Sequence, residues 1–115
     1  MSVMPVPADP IRSLDDNPHA AADLLRVLAN EHRLEVLCAL RAGELSVGQL
    51  IGRVGLSQSA LSQHLARLRA DGIVATRRVG QTIFYRIADE EVLTILEALA
   101  EVMKRRRERE RPSWL

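Results

Sequence analysis

The chain has 115 residues, 47% hydrophobic and 27% charged, which describes one soluble globular domain with a modest core and excludes a disordered polyelectrolyte. Aromatic residues make up only 3%, so the core is aliphatic and rich in Leu and Val, a composition that favours helices. No apolar run reaches the length of a membrane span, residues 1–17 lack the basic-then-apolar block of a secretory signal, and a single cysteine excludes an internal disulfide framework and fits a reducing cytoplasm.

In chain order, residues 1–17 read as a flexible N-terminal arm dominated by Pro and Asp. Pro18 suits a helix entry, and a first helix is predicted to about Leu28, with Ala21, Leu24, Leu25 and Leu28 on one face. Asn30 is a good N-cap for a second helix, which carries Leu34, Leu37, Cys38 and Leu40 and stops at Gly43. Ser46 followed by Gln49 has the form of a capping box. It opens a short third helix with Val47, Leu50, Ile51 and Val54 as its apolar positions. Gly55-Leu56-Ser57 breaks that helix, and Ser57 caps a fourth, on which Leu61, Leu65 and Leu68 form one buried stripe.

A short helix, a turn containing Gly and a second amphipathic helix predict a helix-turn-helix, although a plain helical hairpin has similar spacing. Asp71-Gly72 ends the fourth helix, and residues 73–79 and 82–87 are β-prone runs joined at Gly80-Gln81. Arg77 and Arg78 sit just before that turn, so the hairpin is basic and reads as the wing of a winged helix. Asp89 caps the last helix, with Glu90 and Glu91 complementing its dipole. Val92, Ile95, Leu96, Leu99, Val102 and Met103 then follow the spacing of a helix–helix seam. The fold class is mainly α with a β-hairpin: a winged helix-turn-helix of five helices and a two-stranded wing over residues 18–109, followed by a tail over 110–115.

Charge is distributed unevenly. Residues 46–88 hold six Arg against Asp71 alone, a charge of +5, while the segments before and after carry −3 and −1. The excess coincides with the fourth helix, whose polar face offers Gln58, Ser59, Ser62 and Gln63. Such uncharged donors and acceptors suit base edges in a major groove, where Gln pairs with adenine and Ser with either base. A merely solvated face would usually carry Lys and Glu. The positive segment is the electrostatic footprint of a nucleic-acid surface.

Taken together, Leu28-Ala29-Asn30-Glu31-His32-Arg33-Leu34, Leu45-Ser46-Val47-Gly48-Gln49-Leu50, the run from Leu56 to Leu65 and Gly80-Gln81-Thr82-Ile83-Phe84-Tyr85 resemble the ArsR/SmtB winged-helix repressors. The resemblance spans residues 20 to about 103. It implies a symmetric homodimer whose first and last helices pack across the two-fold axis, with Leu24, Val92, Ile95, Leu96, Leu99, Val102 and Met103 at the interface. The two reading helices would lie in successive major grooves of an inverted repeat, about one helical turn (~34 Å) apart.

Many members of that family sense metal, and this sequence departs from them. The positions matching the family's paired cysteines are Ser46 and Gly48, residues 89–106 contain no His, and His19, His32 and His64 lack metal-ligand spacing. His64 is expected to pack at the inner edge of the reading helix and His32 to decorate the start of the second. No metal or other cofactor is implied. The resemblance runs to the branch of persulfide-sensing repressors and the nodulation regulator. There Cys38 matches the first of two switching cysteines, but Lys104 stands where the second is expected. One thiol cannot make an intramonomer bridge. Since Cys38 lies on an apolar stripe, core packing is expected for it, with a redox role as the alternative.

The reading is a dimeric, sequence-specific regulator of transcription that acts as a repressor on double-stranded DNA. Ser57, Gln58, Ser59, Ser62 and Gln63 read bases or adjacent phosphates, and Arg67, Arg77, Arg78 and Gln81 meet the backbone. Two alternatives stay open: a winged-helix protein-interaction module without DNA specificity, and a one-cysteine redox-responsive regulator. An enzyme is disfavoured by the lack of a paired Cys/His, a phosphate loop or clustered carboxylates. No effector is legible. The basic run over residues 104–111 reads as a solvated helix end or as phosphate contacts, and Trp114 as either loose or docked on the dimer.

Overall fold

Local capping sets most of the element boundaries. The computed structural model describes residues 12–114. Six helices and three short strands follow one another as α1 (Arg12–Asp16), α2 (Pro18–Leu28), α3 (Glu31–Leu40), β1 (Leu45–Ser46), α4 (Val47–Arg53), α5 (Gln58–Ala70), β2 (Val74–Val79), β3 (Thr82–Ile87) and α6 (Glu90–Glu110). Asn17 Oδ1 accepts from Ala20 N–H, and Asn30 Oδ1 accepts from His32 and Arg33 N–H, so α2 and α3 start where their first orphan donors find a side-chain oxygen. The Ser46–Gln49 capping box forms in both directions, at 3.2 and 2.8 Å. Ser57 and Asp89 cap α5 and α6. Gly72 (φ +71°) and Gly80 (φ +60°) take the left-handed conformations that end α5 and turn the hairpin, and an L side chain would be strained at either.

The antiparallel sheet has the order β1-β3-β2. Leu45 pairs with Tyr85 and Ser46 with Phe84, so the wing is three-stranded at its base where the sequence predicted two strands. Two residues are too few for an alternating pattern to register. A further helix, α1, falls within the stretch read as an arm, and residues 1–11 lie outside the described residues.

The core joins α2 through α6 around Val36, Leu37, Leu40, Leu50, Leu61, Leu65, Leu68, Ile73 and Val92, each at most 2% exposed. Two expectations change. Val92 and Leu96 belong to the protomer's own core, and Val92, fully buried, has no surface left for a partner; a seam-like spacing does not say whether its complement is the same chain or another. Cys38 is exposed, not packed. The buried stripe of α3 runs through Val36, Leu37 and Leu40, and at 100° per residue Cys38 falls on the opposite side beside Glu31. In α2, Val27 and Leu28 are buried, Leu24 is half-buried and Leu25 is 57% exposed.

Candidate nucleic-acid interface

The α4–turn–α5 unit presents one helix. Leu61, Leu65 and Leu68 anchor α5 from behind, which leaves Gln58, Ser59, Ser62 and Gln63 exposed on its outer face. Ser57 Oγ accepts from Ala60 N–H at 3.2 Å, so its oxygen holds the helix start while its hydroxyl proton stays available to an acceptor. The neighbouring backbone N–H groups at this N-terminus suit a phosphate. The three-stranded base of the sheet then brings the wing alongside. Gln58 and Ser62 of α5, Ser46, Val47 and Gly48 at the start of α4, and Gln81, Thr82, Ile83 and Tyr85 of the wing line one open groove of about 560 Å³. The structure thus brings together Gln58, Ser62 and Gln81 of the sequence-predicted residues. Thr82 and Val47 were missed; their position beside the groove depends on the β1–β3 pairing, which leaves no local signal.

The arginines divide into two groups. Arg67 Nε donates to Asp71 Oδ2 at 2.8 Å, an exposed pair one turn along α5. Arg77 donates from Nε to Glu44 Oε2 at 3.1 Å and from Nη2 to Glu44 Oε1 at 2.5 Å, and its guanidinium carbon lies 5.2 Å from the Phe84 ring centroid. The hydrogen bond from Arg77 holds the Glu44 carboxyl below its usual range, and the same bond raises Arg77. Arg78, also exposed, makes no ion pair among the described residues.

Behind the outer face of α5, His64 meets His32 of α3 with ring centroids 5.6 Å apart and planes tilted by 44°. His32 Nδ1 is 3.9 Å from Glu35 Oε1, beyond hydrogen-bond reach, and this buried nitrogen has no hydrogen-bond partner among the described residues. Burial, then Arg33 and His32, push the His64 imidazole below its ordinary value. Arg33 itself donates to the Val27 and Arg26 carbonyls and ties α3 to the end of α2. Among the described residues no group of three His, Cys, Asp or Glu side chains converges as a metal site.

On another face, Leu25, Leu28, Ala29, Leu34, Ile95, Leu96 and Leu99 line an apolar cleft of about 370 Å³ between α2, α3 and α6. Leu99, Val102 and Met103 continue it as exposed side chains, 40%, 44% and 52% accessible. Among the described residues no helix is long and apolar enough to cross a membrane.

The family model for the bacterial regulatory proteins of the arsR family matches residues 30–76, from the cap of α3 into β2. The chain is 51% identical over 89 residues to the transcriptional activator HlyU of Vibrio cholerae, spanning 77% of this chain and 82% of that protein. The solved structure of that HlyU superposes with a TM-score of 0.71, covering 76% of this chain and 96% of that one at 51% identity. The biofilm growth-associated repressor of Agrobacterium fabrum is 41% identical over 90 residues, 78% of this chain and 77% of that protein. A homodimeric winged helix-turn-helix DNA-binding domain from Mycobacterium bovis, at 29% identity, matches 95% of this chain and 98% of its own with a TM-score of 0.71. The chain belongs to the arsR family of bacterial regulatory proteins, transcriptional regulators with a winged helix-turn-helix DNA-binding domain.

Proposed function

We propose that the chain works as a homodimer that represses transcription by occupying an inverted-repeat operator. The supporting observation is the shared groove, where Gln58 and Ser62 from the reading helix face the same open space as Gln81 from the wing. In this reading α5 enters the major groove. Gln58, Ser59, Ser62 and Gln63 meet base edges, and Ser57 and the helix N-terminus hold a phosphate. Arg67, Arg78 and Gln81 meet the flanking backbone. Repression by occlusion needs no chemistry beyond this occupancy.

The exposed stripe of Leu99, Val102 and Met103 beside Leu25 supports dimerisation, because a domain this small has little reason to expose a contiguous apolar face without a partner. The two-fold axis then sets the half-site spacing. A gel shift with a promoter fragment against random DNA tests the reading. Gln58→Ala is expected to weaken specific binding by about 1–3 kcal/mol while leaving random DNA nearly unchanged. Equal loss on both would remove Gln58 from base reading.

A further inference from the structure

The wing is joined to the rest of the domain by more than backbone pairing. Glu44 lies in the turn just before β1, and Arg77 lies on β2, at the opposite edge of the sheet. Between them runs β3, whose Phe84 is the register partner of both Ser46 and Arg77. The Arg77 side chain lies against the Phe84 ring and makes both of its hydrogen bonds to Glu44, so a two-point ion pair spans the central strand and links the two edges. Beyond it, on one side, Ser46 caps α4 and lines the groove. On the other, the hairpin continues to Gln81, which lines the same groove.

We propose that Glu44 and Arg77 are positioning residues of the DNA interface: their ion pair over Phe84 sets the wing against α4 and α5, so that Gln81 lines the same groove as Gln58 and Ser62. Arg77 is then not a phosphate ligand, unlike Arg78. The inference rests on the DNA-binding reading above. Bidentate geometry carries it, because two parallel hydrogen bonds fix the planes of both groups in a way that a single contact does not. Exposure limits what the pair adds to folding, since Arg77 and Glu44 side chains are 57% and 28% accessible. Its effect therefore falls on binding geometry more than on stability.

Charge and position make opposite predictions for Glu44. Removing a carboxylate from a protein that binds a polyanion strengthens binding through charge alone. If the carboxylate positions the wing, removing it weakens binding instead.

The test uses the full-length protein and a duplex enriched from a random pool by the wild type, with affinity measured over a salt series. Glu44→Ala is expected to bind that duplex roughly two- to fivefold more weakly. Glu44→Gln, which keeps an acceptor oxygen, should fall between. Arg77→Ala should lose as much as Glu44→Ala, with the salt slope of the wild type, and the double variant should lose no more than either single one. Tighter or unchanged binding by Glu44→Ala overturns the inference, as does a slope flattened by about one unit per protomer in Arg77→Ala. If Arg77→Ala fails to fold, the sign of the Glu44→Ala effect still decides. A wild type that enriches no duplex overturns the DNA-binding reading and this inference with it. Enrichment followed by tightening in Glu44→Ala overturns the inference alone.

Discussion

Leu99 is the sharpest probe of the proposed dimer. It sits on α6 with 40% of its surface exposed while lining the apolar cleft toward α2 and α3. Burying a whole Leu side chain is worth about 1.5–3 kcal/mol, so covering the exposed part with a partner contributes about 0.6–1.2 kcal/mol per protomer. A two-fold interface contains the residue twice, which makes the contribution about 1.2–2.4 kcal/mol per dimer. Leu99→Ala should then weaken the dimer about tenfold to fiftyfold. Leu99→Glu adds the cost of burying a charge and should give monomer or aggregate. Sedimentation velocity over a concentration series reads both, and operator affinity should fall with the dimer fraction. The reasoning fails if Leu99→Ala dimerises with wild-type affinity, or if the wild type is a monomer at concentrations where it binds DNA.

Three further outcomes follow from single residues. Arg78→Ala should flatten the log–log salt dependence of DNA binding by about one unit per protomer, on operator and random DNA alike, and an unchanged slope would remove Arg78 from the phosphate contacts. His64 is held below its ordinary value, so below about pH 6.5 the unfolded chain takes up a proton that the folded one refuses. Stability is therefore fully present above that pH and declines as the pH falls toward the lowered value; urea midpoints should show this in the wild type and lose it in His64→Gln. Cys38 is exposed, so Cys38→Ser should change stability by no more than about 0.5 kcal/mol, and the native thiol should react with a small disulfide reagent without prior unfolding. A slow reaction that tracks global unfolding would show the thiol to be covered.

What could be read from the sequence was chiefly what is decided within four residues. Asn30, Ser46 with Gln49, Ser57 and Asp89 each cap a helix through a bond to a neighbour two or three positions on, and residue types alone reveal such bonds. Gly80 marks the hairpin for the same reason. The stripe Leu61, Leu65, Leu68 also defined the outer face of α5, since burying one face leaves the other to solvent.

Non-local arrangements left no such trace. Cys38 was misplaced because α3 carries apolar residues on several sides, and periodicity could not tell which side meets the core. Val92 and Leu96 continue the same stripe as Leu99, and only the folded chain shows where the protomer's core stops and the exposed face begins. The Glu44–Arg77 pair joins residues 33 positions apart, and His32 meets His64 across two helices.

The most direct test of the central claim is selection of duplexes from a random pool by the wild-type protein, followed by sequencing. The account predicts an enriched inverted repeat with half-site centres about 10–10.5 bp apart, or a multiple of that, and loss of the repeat's conserved bases when Gln58→Ala replaces the wild type. Enrichment of a single unrepeated site, or of no sequence at all, would contradict it.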